Sequence, residues 1–300
     1  MAAPFDLIVC GSGGQPDYSQ RFAAWGERLR QALVQNMHHP PQNIRLLTES
    51  SSASPSSLEH IAASIDQLVQ SLDREDVLFV YLIGHGSYRN DTAKLNIPGP
   101  DLSAAALDSM LQKSAAGRIV VINAASASAA FINVLSAPGR IVCSSTSSVE
   151  ERNATWFMEY FAQGLEEESA DQNRDERISI LEACRQAAEL TGAHYAADNL
   201  IATEHALLDD DGDGLGSRLP LDGDDDDGAL AARTYLKDFR FPPQVPASVV
   251  HAYRTSLRQV EEFIRQKGTI EEGEYYKRLE ELLVRTAQLN RQIRSFQKPP

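Results

Sequence analysis

Two kinds of hydrophobic pattern alternate along the first two thirds of the chain. Short runs that are almost entirely apolar predict strands buried on both faces of a sheet, and they lie at 5–10, 44–48, 77–83, 118–123 and 139–144. Between these runs, apolar residues recur at helical spacing and predict helices over 18–35, 56–72, 102–111, 154–164 and 178–190. Strands that alternate with helices indicate an α/β fold with a mostly parallel sheet and helices on both of its faces.

The pattern changes near residue 241. The segment Phe-Pro-Pro-Gln-Val-Pro at 241–246 cannot be a helix interior and predicts a linker. Beyond it, two amphipathic stripes separated by Gly268 and Gly273 predict two antiparallel helices over 247–297, a helical hairpin. We therefore expect three parts: a main domain over 1–240, a linker over 241–248 and a helical appendage over 249–300. The appendage either packs on the main domain, or mediates self-association or contact with a partner protein.

Residues that can act as a base or as a nucleophile follow two consecutive apolar runs. The run at 77–83 leads into Gly84-His85-Gly86, and the run at 118–123 leads to Ser126. In a parallel sheet the carboxyl ends of neighbouring strands open onto one crevice, where ligands bind. The sequence thus predicts a base, His85, beside a possible nucleophile, Ser126, with the backbone N–H of Gly86 accessible to an oxyanion.

This ordered pair resembles the caspase-like cysteine peptidases, and among them most closely the legumain-type (C13-like) branch found in bacteria. In that family an apolar strand ending in His-Gly precedes one ending in Asp-Ala-Cys-x-Ser-Gly. Leu82-Ile83-Gly84-His85-Gly86 matches the first motif. The second departs from it, because Asn123 or Ala124 stands where the acid is usual and Ser126 replaces the cysteine.

The resemblance covers residues 5–240 and implies a caspase/haemoglobinase-like three-layer sandwich whose ligand is a peptide or protein. It also implies an oxyanion hole formed by the backbone N–H groups of Gly86 and Ser126. Substrate-binding residues are implied after the first strand and after the strand that follows the nucleophile. In this chain these are Arg21, Ser145, Ser147 and Glu150. Their mixed charges leave the choice between Asn, Asp and Arg open, although an acidic residue at the pocket floor, Glu150 or Glu151, would favour Arg or Lys.

The serine at position 126 leaves three interpretations open. A hydroxyl is far less acidic than a thiol, so Ser126 needs a well-oriented base, and no sequence position marks an acid that orients His85. Asp91 and Asp101 are the candidates for that role. The chain is a pseudo-peptidase that still binds peptide, a working serine hydrolase, or a cysteine peptidase whose nucleophile is replaced by serine. We predict little or no peptidase turnover.

An acidic segment at 171–182 has the spacing of an EF-hand-like calcium loop. Oxygen ligands fall at loop positions 1, 3, 5, 9 and 12, with a backbone carbonyl at position 7. The residues are Asp171, Asn173, Asp175, Ser179 and Glu182, with Arg177 supplying the carbonyl. Glu176 stands at position 6, where glycine is usual. Calcium is therefore a possible cofactor and no other is indicated; a solvated loop is the alternative. If calcium does bind, a calcium-binding interaction or adaptor protein is an alternative function for the chain.

A second acidic run begins at Asp209 and has carboxylates at positions 1, 3 and 5 and a glycine at position 6. Pro220 occupies position 12, so the bidentate acid is absent and any calcium binding is expected to be weak. The acidic tract that follows, at 222–227, predicts an exposed loop.

Net charge and composition argue against some classes of binding partner and some cellular locations. A formal net charge of -14 argues against nucleic acid as a partner. No apolar run approaches the roughly 20 residues that span a bilayer, which argues against a membrane protein. No signal-peptide pattern opens the chain, so we expect a cytoplasmic protein, although a trimmed export signal stays open. Three cysteines, Cys10, Cys143 and Cys184, form no even set and favour reduced, buried thiols.

Overall fold

The structure is a computed structural model that describes residues 3–221, 227–237, 241, 244–264 and 266–296. The chain divides into two units, Met1–Asp238 and Phe239–Pro300. The expected boundary at residue 240 lies outside the described residues, as do residues 242 and 243 of the expected linker.

The first unit contains every strand and helix expected for this region, with ends shifted by three residues or fewer except that the last helix ends seven residues later than expected. The first two residues of the helices expected over 102–111 and 178–190 are short strands. Its strands are β1 (Pro4–Cys10), β2 (Ile44–Leu47), β3 (Val77–Gly84), β4 (Gly86–Arg89), β5 (Thr92–Leu95), β6 (Leu102–Ser103), β7 (Arg118–Ala125), β8 (Arg140–Ser144), β9 (Ile178–Ser179), β10 (Leu207–Asp209), β11 (Ser217–Arg218) and β12 (Tyr235–Lys237). Its helices are α1 (Pro16–Gln35), α2 (Leu58–Val69), α3 (Ala104–Leu111), α4 (Ile132–Leu135), α5 (Phe157–Glu166) and α6 (Ile180–Ala197).

A seven-stranded sheet in the order β11-β10-β8-β7-β3-β1-β2 forms the centre of this unit. The strands from β8 to β2 pair in parallel, and β10 adds the antiparallel edge to which β11 pairs. This confirms the α/β class with a mostly parallel sheet. The sequence did not reveal β10 and β11, because both are short and carry polar residues.

Both faces of the sheet are covered, which explains the continuous apolar runs. Alternate residues of β3 face opposite sides: Phe79 packs with α1, α5 and α6, and Leu78 packs with α2 and α3. Helix α1 lies close to β1, because a Cβ on Gly26 would come within 2.3 Å of the Cys10 sulfur. The approach of α1 matters for function, because this helix borders the carboxyl ends of β1 and β3.

The second unit consists of two long helices, α7 (Ala247–Ile264) and α8 (Glu272–Ser295). Phe263 stacks on Tyr275 beside the turn, and the hydroxyls of Ser256 and Thr286 lie 2.7 Å apart further along, so the helices run antiparallel. Helix α7 begins two residues before the expected start of the appendage. Among the described helices, none combines the length and apolar character needed to cross a bilayer.

Candidate functional site

The two candidate catalytic residues follow adjacent parallel strands. The pairing of β3 with β7 runs in register to its end, where Gly84 is opposite Ala125. His85 and Ser126 are the next residues on each strand. Ile83 and Ala124, two positions earlier, belong to the core on the α1 side of the sheet, so alternation directs both candidates toward that side.

Ser126 is held in a tight turn against the backbone of Gly86. The Gly86 N–H donates to the Ser126 Oγ at 3.0 Å, and the hydroxyl lies 3.4 Å from the Gly86 carbonyl oxygen. Only glycine fits at position 86, because a Cβ there would lie 2.2 Å from the Ser126 carbonyl oxygen. The next residue, Ala127, has a left-handed φ of 51° and donates its N–H to the Glu151 carbonyl at 2.8 Å. Ser126 itself is only 1% exposed.

His85 is half-buried against the aromatic side chains of α1. Its ring lies 4.8 Å from that of Tyr18 and 5.1 Å from that of Phe22, both edge-on. Burial lowers the pKa of His85, and a hydrogen bond with the Gly13 backbone opposes that shift. A bond that raises a histidine pKa is one that the ring donates, so its acceptor is the Gly13 carbonyl. A neutral imidazole held in this way is poised to act as a base.

No carboxylate of the described residues bonds to His85. Asp91, one of the two candidates from the sequence, accepts a hydrogen bond from the Tyr88 hydroxyl at 3.2 Å instead. Asp101, the other candidate, lies on the surface. The expectation of an orienting acid at either position therefore finds no support in the geometry, and a backbone carbonyl stands in its place.

Arg21 lies beside His85, in a group of aromatic rings. Its guanidinium carbon is 4.8 Å from the ring centre of Trp156, 5.3 Å from that of Tyr18 and 5.9 Å from that of Trp25. Tyr18 contacts both Arg21 and His85, which brings the cation to the rim of the strand-end crevice. Within the described part of the chain, Arg21 has no carboxylate partner. Cation–π contacts fix its direction while leaving its N–H groups available for a ligand.

The three other residues expected to bind substrate occupy different environments. Ser145 is buried at the end of β8, where its hydroxyl donates to the Ala125 carbonyl at 3.0 Å. Ser147 donates its backbone N–H to the Glu151 carboxylate at 2.7 Å. Glu150 points to solvent, where it pairs with an arginine two residues along the chain. The inward-facing acid of this loop is thus Glu151.

Two further titratable residues, His205 and Glu204, lie near Glu151, and the sequence did not mark them. The Glu151 carboxylate contacts the Nδ1 of His205, which joins the loop after β8 to the segment before β10. Next to His205, Glu204 caps the start of α5 by accepting the Trp156 N–H at 2.7 Å, and burial raises the pKa of Glu204 to about 7. A cavity of about 320 Å³ opens here, between α6 and residues 202–206. Each link joins residues about fifty positions apart, so no local pattern could reveal it.

The EF-hand-like loop has the expected backbone, and its carboxylates accept hydrogen bonds from N–H groups of the loop itself. Glu176 at position 6 has φ 68°, the left-handed conformation that such a loop requires. The two oxygens of Asp171, however, each accept a backbone N–H, from Asp175 and Glu176 at 3.0 Å. Glu182 closes a capping box with Ser179 at the start of α6. The N–H of Asp175 also donates to the Asn173 Oδ1 at 2.8 Å, which brings the Asn173 and Asp171 oxygens together. The acids Asp171, Asp175 and Glu182 do not form one of the groups of described residues whose ligand atoms all lie within 4.8 Å of one another.

The second acidic run brings carboxylates together. One ligand atom from each of Asp209, Asp211 and Asp213 lies within 4.8 Å of the other two. No other group of three or more Asp, Glu, His or Cys side chains among the described residues does this. Asp209 is buried, and burial raises its pKa to about 6. Such a group could hold a metal ion.

Comparisons with known proteins give no family. No protein-family profile matches the chain. No curated protein matches it in sequence either. Among solved structures it is similar to the crystal structure of protein GSU0716 from Geobacter sulfurreducens, a structural-genomics target, with 11% sequence identity and a TM-score of 0.48 over 69% of this chain and 92% of that one.

Proposed function

We propose that this chain is a protein of caspase-like, legumain-type peptidase fold that binds a peptide at the carboxyl edge of its sheet and turns it over very slowly or not at all. The observation that carries the proposal is the register of β3 and β7, which places His85 and Ser126 on adjacent strand ends. Helices on both faces of a mostly parallel sheet are compatible with a caspase/haemoglobinase-like sandwich.

The crevice offers the groups that a peptide needs. The N–H of Gly86 donates to the Ser126 hydroxyl, and it becomes available to the carbonyl oxygen of a bound peptide when that hydroxyl turns away from it. The guanidinium of Arg21 can donate hydrogen bonds to a carboxylate or a carbonyl oxygen from a side chain of the peptide. Ser145 lines the next strand end.

The same geometry argues against efficient turnover. The Ser126 hydroxyl bonds to the backbone of Gly86 and not to His85. His85 is oriented by a carbonyl, which cannot stabilise the imidazolium formed during proton transfer as a carboxylate does. A serine therefore lacks the activation that it needs, whereas a thiol in the same place would need less.

Two other functions follow from the same residues. A serine hydrolase would use Ser126 as nucleophile and His85 as base without an acid. A cysteine peptidase whose nucleophile is replaced by serine would regain activity once the thiol returned. Substitution at position 126 separates these two functions from a pseudo-peptidase.

Peptide binding in this crevice predicts a specific role for Arg21. Peptides selected from a random library on the immobilised protein should bind Arg21→Ala at least about tenfold more weakly, because a charged hydrogen bond contributes about 1.5–3 kcal/mol. Fluorescence anisotropy with one selected peptide measures the change. Arg30→Ala is the matched control: Arg30 lies on the same helix but pairs with Glu27, and this substitution should leave binding unchanged. Equal affinities of both variants, or no selected peptides, would contradict binding at this site.

We also propose that the chain binds calcium, with the cluster Asp209, Asp211 and Asp213 as the better supported location. Three converging carboxylates are the chemistry that this cation prefers. The loop at 171–182 remains the alternative location, since its spacing matches although its acids do not form such a group.

Calcium is expected to raise the melting temperature relative to a chelator, because a ligand of the native state stabilises it by RT ln(1 + [L]/Kd). Asp213→Asn should abolish the increase and Asp175→Asn should preserve it. The reverse result would move the site to the loop at 171–182. Superimposed melts of the unaltered protein in calcium and in chelator would exclude both.

A further inference from the structure

The seam between α7 and α8 has the spacing of a coiled coil. On α8 the residues turned toward α7 alternate at intervals of four and three, which is the pattern of knobs-into-holes packing. They are Tyr275, Leu279, Leu282, Thr286, Leu289 and Ile293. On α7 the corresponding residues include Ser256, Val260 and Phe263, all buried. This seam accounts for the pairing of the two helices with each other.

A second apolar row lies one residue after the seam on each helix. On α7 it consists of Val250, Leu257 and Ile264, and on α8 of Tyr276 and Leu283, each seven residues apart. One residue corresponds to a rotation of about 100°. Because the helices are antiparallel, this rotation turns both rows to the same side of the hairpin. We call these five residues the outer face.

The outer face is substantially exposed near the turn of the hairpin. Ile264 is 49% exposed, Tyr276 50% and Leu283 49%. Large apolar side chains repeated at heptad spacing on neighbouring helices form a surface suited to pack against other helices.

Charge is divided sharply along the same hairpin. The half that contains the turn, residues 259–283, has seven Asp/Glu and four Lys/Arg, a net charge of -3. The other half, residues 247–258 and 284–296, has five Lys/Arg and no Asp/Glu, a net charge of +5. Two hairpins laid side by side in the same direction would oppose like charges, and two laid in opposite directions would match acidic with basic halves.

We infer that the outer face binds a second copy of this chain, with the two hairpins antiparallel to each other in a four-helix bundle. A two-fold axis brings the same face of each copy together and sets the turn of one hairpin beside the basic half of the other. Apolar contacts then stabilise the dimer, and the separation of acidic and basic halves favours the antiparallel orientation of the two hairpins.

Sedimentation velocity of the full chain over a range of concentrations tests this inference. The unaltered protein should be a dimer that dissociates on dilution. Leu283→Glu should weaken dimerisation at least about tenfold, because two-fold symmetry places the substitution in the interface twice. Val284→Glu is the matched control, since Val284 is equally exposed, at 48%, but lies on the next position around the helix. It should leave dimerisation unchanged, and circular dichroism should show the same helix content in all three proteins.

The salt dependence of dimerisation distinguishes an antiparallel from a parallel arrangement of the two hairpins. Raising the ionic strength should weaken an antiparallel dimer, because it screens the attraction between the acidic and basic halves. A dimer that tightens in salt would overturn the antiparallel arrangement. A monomer at all concentrations, or equal effects of Leu283→Glu and Val284→Glu, would overturn the outer face as the interface.

Discussion

Ser126→Cys is expected to cleave peptides at a rate at least about 10²-fold above that of the unaltered protein, whose turnover should stay near background. A thiol has a free pKa of about 8.5, so a neighbouring imidazole can deprotonate it without the help of a carboxylate. Cysteine places its sulfur at the same position along the side chain as the serine oxygen, so the Gly86 N–H stays next to the reacting atoms. A fluorogenic peptide library measures the gain.

Two further variants test whether the increase in cleavage rate depends on the thiol at position 126 and on His85. Ser126→Ala should stay at background, and adding His85→Ala to Ser126→Cys should remove most of the gain. If neither the serine nor the cysteine form cleaves any peptide, the expected gain is refuted and only the pseudo-peptidase interpretation stands. Turnover by the unaltered protein that disappears in His85→Ala would show that it is a serine hydrolase and would refute our expectation of an inactive form.

Asp6→Ala is expected to lower the free energy of unfolding by about 3–5 kcal/mol, since it removes one partner of a buried ion pair. Asp6 and His39 are almost fully buried, and their Oδ2 and Nδ1 atoms lie 2.8 Å apart. The other ring nitrogen of His39 bonds to the Leu236 carbonyl at 2.7 Å. Without Asp6, His39 is left with an unpaired group in the core.

The contribution of this pair depends on pH in a definite direction. Burial alone would lower the pKa of His39, but the charge and hydrogen bond of Asp6 and the bond to Leu236 raise it above the usual value. The stabilisation is fully present below the unfolded-state pKa of about 6.5 and is lost as pH rises through the higher folded-state pKa.

Urea unfolding at a series of pH values measures both effects. The unaltered protein should lose stability across that window, and Asp6→Ala should not show the loss. Asp66→Ala serves as control, because Asp66 forms an exposed ion pair with Lys113 at 3.1 Å and should cost less than about 1 kcal/mol. A loss of similar size in both variants would contradict the buried charge pair.

The central strands could be predicted because burial on both faces leaves a direct mark on the sequence. In β3, Leu78 and Phe79 face opposite cores, so the run has no polar break, and the carboxyl-edge rule then places His85 beside Ser126. The antiparallel strand β10 escaped prediction because it is three residues long and ends in an aspartate. Helix spacing marked Phe22 as a core residue, but not its contact with His85.

The partners within the site could not be predicted, because they are long-range. The Gly13 carbonyl reaches His85 only after β1 and β3 have paired, and Glu151 reaches His205 only through the folded loop after β8. Spacing alone also could not show whether Glu182 is a calcium ligand or part of a helix cap. In the structure its carboxylate bonds to Ser179 at the start of α6. Sequence patterns define which residues are available, and the fold decides which groups they contact.

Covalent labelling of Ser126→Cys by a peptidyl electrophile tests most directly whether His85 and Ser126 form the centre of a peptidase-like cleft. Intact-mass spectrometry follows the reaction. We predict a single adduct at position 126 that forms far more slowly when His85→Ala is added. Burial should keep the native cysteines unlabelled, since it raises the pKa of Cys10 to about 12 and that of Cys184 well above its usual value, and Cys143 is fully buried. Position 126 is also only 1% exposed, so labelling there requires that the bound peptidyl group opens the turn against Gly86. Labelling at position 126 at the same rate with and without His85, or no labelling at all, would contradict the account.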